Sequence, residues 1–140
     1  MSGLSDVFDG LETTLKAGIS DLQVHKGEPA TVNHYPAAVC MLMPFDPRLA
    51  LSGNGWMGEI RILMVIASGD AANGWAQLWD YIDPTTATKS VIKAIETDRD
   101  LNSKVDDSEI TMIENIGMRD LGGIRVFGFD AVLRFIKSVD

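Results

Sequence analysis

The sequence predicts an α+β domain with a mostly antiparallel four-stranded sheet and helices packed on one face, in the order α-β-β-α-α-β-β. Two observations carry this prediction. Apolar residues recur at spacings of three and four in three segments, which is the period of an α-helix. Four other segments are short apolar runs or alternate apolar and polar residues, as strands do. The chain has 140 residues and no change of composition along its length, so residues 1–140 are expected to form a single domain.

The first predicted helix runs from Leu4 to Leu22. Ser2 or Ser5 is its expected N-cap, because a serine hydroxyl accepts a hydrogen bond from a free backbone N–H of the first turn. Gly27 opens a loop that extends through Asn33. The apolar face of this helix is predicted to contain Leu4, Val7, Phe8, Leu11, Leu15, Ile19 and Leu22.

Two shorter helices are predicted in the middle of the chain. One begins with Asp70 as its N-cap and ends at Ile82, before Asp83-Pro84. The other starts after Thr85 or Thr86. The apolar stripe of the first contains Ala71, Trp75, Leu78, Trp79 and Ile82, and that of the second contains Val91, Ile92 and Ile95.

The predicted strands differ in how they are buried. Residues 37–43 lie between two prolines and are apolar throughout, which favours a strand buried on both faces. Residues 58–67 alternate, with Arg61 expected in water. Residues 109–118 and 124–136 are predicted to form a hairpin around a turn at 119–123, with Phe127 and Asp130 on opposite faces. In residues 58–67, one face is expected to carry Ile60, Ile62, Met64 and Ile66, and the other Leu63 and Val65. In residues 124–136, Phe129, Leu133 and Phe135 are expected on the same face as Phe127.

The charge and cysteine content narrow the class of protein. The formal net charge is −8, which argues against a surface that binds duplex DNA, because phosphate contacts need clustered Lys and Arg. A single cysteine, Cys40, cannot form an internal disulfide, and the first residues lack the pattern of a signal peptide. No apolar run approaches the roughly 20 residues that span a bilayer. The protein is therefore expected to be soluble and made in the cytoplasm, without a membrane partner.

The sequence contains no recognisable catalytic or cofactor motif. It has no nucleophile elbow, Walker loop or dinucleotide fingerprint, so no catalytic residue, cofactor or metal is assigned. His25 and His34 lie in the predicted loop after the first helix, and a zinc site would need further ligands at motif spacing. The pair Trp75 and Trp79 could stack on a ligand or base, but its place on an apolar helical stripe favours the core.

Two polar segments remain as candidate functional surfaces. Residues 45–56 form a long loop, and loops of this length are commonly functional. Trp56 at its end is either a structural residue or an interface anchor. The connection from Asp98 to Glu109 is acidic, and it is either a solvated face, a surface that repels DNA or a calcium loop. Calcium is disfavoured because the central glycine of an EF-hand is missing.

Several phrases of the sequence resemble one known family. The phrases "GWAQLWDYID" and "SVIKAIETDRDL" are followed by an acidic link and two closing strands, and "LETTLKAGISDL", "GEPATVNHYPAAVC" and "EIRILMVIAS" precede them in matching order. Over about Leu4 to Lys137, this arrangement resembles the tail terminator family of long-tailed bacteriophages, also called tail completion or minor tail protein U-like proteins.

The resemblance implies a structural virion protein. Members of the family are α+β subunits that close into a ring, usually a hexamer, on the last ring of the tail tube. The ring ends polymerisation of the tube, presents a surface to the head-tail connector or stopper protein, and lets DNA pass through its hole. An anionic lining would not retain that DNA, which is consistent with the net charge of −8. The implied location is the head-proximal end of the virion tail.

Residue roles follow from loop position and polarity, since the family has no catalytic motif to transfer. The residues expected to contact a neighbouring subunit or the tail tube are Asp46, Arg48, Asn54, Trp56, Arg119 and Asp120. The acidic residues expected to face the lumen are Asp98, Asp100, Asp106 and Asp107. The alternatives are another neck protein, either a head-tail stopper or a connector adaptor, and a cellular small-molecule-binding domain with a pocket at Trp75 and Trp79.

Overall fold

The helices and strands of the chain follow the predicted order, with two additional short strands. The computed structural model describes residues 3–27, 32, 34–45, 51–52, 55–86 and 88–138, and at positions 51, 52 and 56 it describes the backbone alone. The elements in these ranges are α1 (Leu4–Gly18), β1 (Gln23–Lys26), β2 (Ala37–Leu42), β3 (Leu51–Ser52), β4 (Gly55–Ser68), α2 (Gly74–Ile82), α3 (Val91–Thr97), β5 (Asp107–Leu121) and β6 (Ile124–Ser138).

One mixed sheet organises the fold. Its strand order is β1-β2-β4-β6-β5, and β3 pairs with the start of β4. All neighbours are antiparallel except β1 and β2, which are parallel. The predicted α+β class is confirmed, but the prediction of four strands is wrong because β1 was assigned to the first helix and its loop. A strand of only four residues is too short to display a period of its own.

The helices pack on one face of the sheet, where the main core lies. Phe129 and Phe135 of β6 are fully buried there, against Leu11 and Leu15 of α1. The alternation predicted for β4 is confirmed, since Ile60, Ile62, Met64 and Ile66 all join this core. Glycines permit close packing, because a Cβ on Gly18 would lie 2.5 Å from the Cβ of Ala94 on α3.

The opposite face of the sheet, which we call the open face, carries a smaller apolar cluster. Its buried members are Ala37, Val39, Leu63, Val65 and Val126, with Val32, Tyr35, Met41 and Leu121 packed against them. No residue of α1, α2 or α3 belongs to this cluster. The prediction that Leu63 and Val65 oppose Ile62 is thereby confirmed. The prediction of a strand buried on both faces is confirmed for residues 37–40, whereas residues 41–43 are half-buried.

The ends of the helices differ from the prediction. Helix α1 ends at Gly18, and Leu22 is buried after the helix instead of within it. Gly3 occupies the N-cap position, and its backbone N–H donates to the Asp6 carboxylate at 3.2 Å. Ser5 lies inside the helix, and Ser2 lies outside the described residues.

The two later helices are also shorter than predicted. Helix α2 begins at Gly74 with Asn73 at the N-cap, so Asp70 is not the cap. Helix α3 begins at Val91, where Ser90 accepts a hydrogen bond from the Lys93 N–H at 3.1 Å. Thr85 and Thr86 therefore precede the helix as part of a turn. The buried residues of α3 are Val91, Ala94 and Ile95.

Strands β5 and β6 form a hairpin that is longer than predicted. The turn is confined to Gly122 and Gly123, whose φ angles are 60° and 87°, a conformation that glycine adopts without steric cost. Arg119 and Asp120, which were placed in the turn, lie in β5. At the other end, β3 and the start of β4 occupy part of the predicted loop 45–56.

Candidate assembly surface

A buried carboxylate organises the polar part of the open face. Asp130 of β6 is 3% exposed, and it points away from the main core as predicted. Its Oδ2 accepts from Arg61 Nη1 at 3.0 Å and from Asn115 Nδ2 at 2.7 Å. Its Oδ1 accepts from Arg119 Nη1 at 2.8 Å. A buried charge is tolerated because two guanidinium groups and one amide replace the water it has lost.

Glu114 extends this network to the edge of the sheet. Arg61 Nη1 donates to Glu114 Oε1 at 2.7 Å. This hydrogen bond, together with the one to Asp130, raises the pKa of the Arg61 guanidinium. A bulge between Glu114 and Gly117 interrupts β5, and bulges re-aim side chains, so both Glu114 and Asn115 reach the network. The prediction that Arg61 is simply exposed to water is wrong, since it bridges three strands.

The two tryptophans of α2 are on the surface, and their predicted place in the core is wrong. Trp75 is 48% exposed and Trp79 is 52% exposed. Leu78 and Tyr81 of the same helix are buried instead. The ring centroids of Trp75 and Trp79 lie 5.5 Å apart, and Trp75 packs edge-on against Phe127 at the same centroid distance.

Met118 lies beside the tryptophans. It pairs with Phe127 across the hairpin and is 39% exposed. A Cβ on Gly117 would lie 3.1 Å from Cη2 of Trp75, so the glycine of the bulge lets the indole approach the strand. We call the surface formed by Trp75, Trp79 and Met118 the aromatic patch. It lies on the helix-bearing side, near the hairpin turn.

Exposed apolar side chains also lie on the open face. Met57 of β4 and Ile136 of β6 are register partners and are 42% and 45% exposed. Met112 of β5, partnered with Val132, is 54% exposed. The register partner of Met112 is four positions along β6 from Ile136, so Met112 does not adjoin the pair formed by Met57 and Ile136. The ion pair between Arg134 and Glu109 lies between Met112 and Ile136 along the hairpin.

The acidic connection between α3 and β5 stabilises its own turns. Asp98 Oδ2 accepts from Thr14 Oγ1 at 2.8 Å and from the Asn102 N–H at 3.2 Å. Partial burial raises the pKa of Asp98, but these hydrogen bonds outweigh burial and leave its pKa below the usual value. Asp100 Oδ1 accepts from the Ser103 N–H at 3.2 Å.

The other two acids of this connection are paired as well. Arg99 donates to both carboxylate oxygens of Asp107, at 2.8 and 2.9 Å, and this lowers the pKa of Asp107. Asp106 accepts from the Ser138 hydroxyl. The lumen assignment of Asp98, Asp100, Asp106 and Asp107 stays a prediction, and Asp100 and Asp106 are the two that are exposed.

The structure describes three of the six predicted contact residues. Asp46, Arg48 and Asn54 lie outside the described residues. Trp56 lies in β4, where its backbone pairs with Leu51 and Lys137. Arg119 and Asp120 are neighbours in β5. Arg119 donates a hydrogen bond to Asp130. Asp120 is exposed, and its register partner is Arg125. The contact roles of all six stay predictions.

The histidines and the cysteine also have defined positions. His25 lies in β1 and not in a loop, whereas the ring of His34 is 2.9 Å from the Asp21 carbonyl oxygen. Cys40 is buried in the core, and burial raises the pKa of its thiol to about 12. No set of three or more His, Cys, Asp or Glu side chains within the described ranges is arranged to hold a metal ion.

A groove of about 420 Å³ lies between α1 and strands β1 and β2. It is lined by Ser5, Phe8, Asp9, Lys26, Gly27, Cys40, Met41 and Leu42. It is thus separate from the aromatic patch on α2. None of the helices in the described ranges has the length and apolar character that a bilayer span demands.

The fold and its surfaces define an α+β domain whose sheet is covered by helices on one side and bears a charged network and exposed apolar residues on the other. No protein-family model matches the chain. No curated protein matches its sequence with significance.

Proposed function

We propose that this protein is a structural subunit of a bacteriophage virion, and that copies of it form a ring on the last ring of the tail tube. The ring ends polymerisation of the tube, provides the head-tail joining surface, and leaves a central hole for DNA. It performs no chemistry of its own. Its partners are further copies of itself, the tail tube protein and a head-tail connector or stopper protein.

The observation that carries this proposal is the half-exposure of Trp75 and Trp79. Tryptophans are among the residues most enriched at the centres of protein–protein interfaces, since each buries a large apolar area at low entropic cost. Here they occupy a helical stripe that would ordinarily face the core, and Phe127 and Gly117 hold Trp75 in place. A surface of this kind is typical of a protein that functions by binding other proteins.

Two further features support the proposed role as a tail terminator. The sequence phrases around α2 and α3 resemble that family in type and order. The net charge of −8 suits a subunit beside a DNA channel, because like charge prevents the nucleic acid from adhering.

A polymerisation assay tests the proposal. The cognate tail tube protein would be assembled with and without the purified chain, and tube lengths would be measured by negative-stain electron microscopy. Tubes that stop growing and carry an extra disc at one end are expected. Binding to the portal or adaptor protein with no effect on tube length would instead identify another neck protein.

The small-molecule alternative has a different candidate site from the one expected from the sequence. Trp75 and Trp79 are exposed. The groove beside α1 is lined by apolar residues together with Ser5, Asp9 and Lys26. Those two charges already bind each other at 2.6 Å. A monomer that takes up an apolar ligand in this groove, and that leaves tube growth unchanged, would favour the alternative.

A further inference from the structure

The short edge strand β1 carries two buried polar atoms that are unpaired among the described residues. They are Oε1 of Gln23 and Nε2 of His25. Proteins pair the large majority of their buried side-chain polar atoms, and an exception commonly marks a bound water or ion. A molecule that binds both atoms removes the free-energy cost of burying them unpaired.

The polar ends of the two side chains are turned inward. Gln23 and His25 are half-buried as whole residues, so each keeps some contact with solvent. A side chain with an apolar body and a polar end usually leaves the polar end in water. Here the polar atoms are the covered part, which places them around an enclosed position.

Both side chains point to the open face of the sheet. Residues two apart on a strand share a face, and in the parallel pair of β1 and β2 Gln23 lies opposite Ala37 and His25 opposite Val39. Ala37 and Val39 belong to the apolar cluster of the open face, whereas Val24, between the two polar residues, packs against the main core. Gln23 and His25 therefore lie side by side on the open face.

The described neighbours of this position are mostly apolar. Ala37 and Val39 cannot form side-chain hydrogen bonds, and neither can Val32, which packs on the same cluster. The ring of His34 is 2.9 Å from the carbonyl oxygen of Asp21 and is thus occupied elsewhere. A small bound molecule is the remaining way to pair both atoms.

One water molecule fits the spacing of the two residues. Positions two apart on a strand are about 6.6 Å apart, because each residue rises about 3.3 Å. A water bridges polar atoms up to roughly 5.8 Å apart, since each of its hydrogen bonds spans about 2.9 Å. Water both donates and accepts, so it can pair with Oε1, which only accepts, and with Nε2 in either neutral tautomer of the imidazole.

A metal ion fits this position less well than water does. Protein metal sites generally use three or four side-chain ligands, as zinc does. Within the described ranges, no three His, Cys, Asp or Glu side chains are arranged to hold a metal ion. A buried water needs only two to four polar partners.

We propose that a buried water molecule binds between Gln23 and His25 on the open face of β1, hydrogen-bonded to Oε1 and to Nε2. It fixes the conformations of both side chains at the edge of the sheet. This site belongs to the folded subunit and does not depend on the proposed function, so ring formation and the presence of the water are tested separately.

A crystal structure of the wild-type chain, at a resolution that shows ordered water, tests the site directly. The expected result is one water within about 3.2 Å of both atoms. The inference is overturned if that position is empty, if Gln23 and His25 bond each other directly, if another side chain fills the position, or if anomalous scattering identifies a metal ion there.

A double-mutant cycle tests the same site in solution. Gln23→Met and His25→Phe each remove one polar group and keep a similar shape, and urea denaturation gives the equilibrium constant for unfolding. Each single variant should raise this constant roughly tenfold, because the water and the remaining polar atom lose a partner. The double variant should be less destabilised than the product of the two effects, since an apolar pair needs no water.

The control for the cycle is Gln77→Met, at an exposed position of α2, which should change the constant about twofold or less. Effects of Gln23→Met and His25→Phe that simply multiply in the double variant would show that the two residues share no bound molecule. A Gln23→Met protein as stable as the control variant would overturn the inference as well.

Discussion

Arg61 of β4 and Asp130 of β6 form an ion pair across the open face, with 3.0 Å between Nη1 and Oδ2. They are not direct register partners, since Leu63 opposes Asp130 and Val132 opposes Arg61. The guanidinium reaches diagonally, which lets it contact Glu114 of β5 as well. The pair therefore joins three strands at the point where β5 is interrupted by its bulge.

Removing the carboxylate of Asp130 should destabilise the fold strongly. The Asp130→Ala variant leaves two arginines and one asparagine without their buried acceptor, and such losses cost about 3 kcal/mol. Urea denaturation followed by circular dichroism measures the free energy of unfolding. Glu109→Ala is the matched control, because the side chain of Glu109 is 43% exposed in its pair with Arg134. Exposed pairs contribute about 1 kcal/mol or less, so equal losses in the two variants would contradict this account.

Adding a methyl group at Gly74 should also destabilise the protein. Alanine forms helices better than glycine does, but a Cβ at this position would lie 2.2 Å from Cε2 of Phe127. Overpacking of this kind costs about 1–3 kcal/mol. The comparison variant is Ala76→Gly, at an exposed position of the same helix, which should cost about 1 kcal/mol from propensity alone. Chemical denaturation of both variants checks the order, and a Gly74→Ala protein more stable than wild type would refute the packing described for α2.

The hydrogen bond between Thr14 and Asp98 should make stability depend on pH. Thr14→Val removes the donor while keeping the shape of the side chain, and the expected loss is about 1–2 kcal/mol at pH 7. The folded pKa of Asp98 lies below its unfolded value, so this stabilisation is present above the unfolded pKa and is lost as pH falls through the folded one. Denaturation curves for wild type and variant should therefore converge at acidic pH. A difference that stays constant down to the folded pKa would contradict the assigned role of Asp98.

The contact residues predicted in the loop 45–56 can be tested by substitution. Trp56→Ala and Arg48→Glu are expected to weaken ring formation or binding to the tail tube, since an interface anchor and a charged contact are altered. The measurements are mass by light scattering and tube length by electron microscopy. Rings and tail lengths like those of wild type in both variants would show that this loop is not a contact region.

The sequence predicted the parts of the fold that follow from the periodic spacing of apolar residues. It missed the parts that depend on tertiary contacts. The alternation in β4 and β6 is strong enough to place Ile62, Leu63 and Asp130 on their correct faces. The assignment of Trp75 and Trp79 to the core failed because a period of 3.6 shows which residues share a stripe, not which part of the stripe is covered. Leu78 and Tyr81 took the buried positions of α2, whereas Trp75 contacts the ring of Phe127 and remains half exposed.

The candidate site was predictable only in part. The position of Asp130 on the opposite face followed from alternation, but its partners come from separate strands and from a bulge that pattern alone does not reveal. The sequence also contained no sign that Arg61 is paired, because its partners Glu114 and Asp130 lie on other strands. Met57, Met112 and Ile136 carried no signal, because single apolar residues on alternating strands are expected on either face.

The most direct test of the whole account is the mass and shape of the purified full-length chain across a wide concentration range, with and without the tail tube protein. Light scattering and negative-stain images should give one closed species several times the mass of the chain, with an opening at its centre. A particle of 15.2 kDa at every concentration, unchanged when tubes are present, would contradict the claim that this protein functions by enclosing a channel with copies of itself.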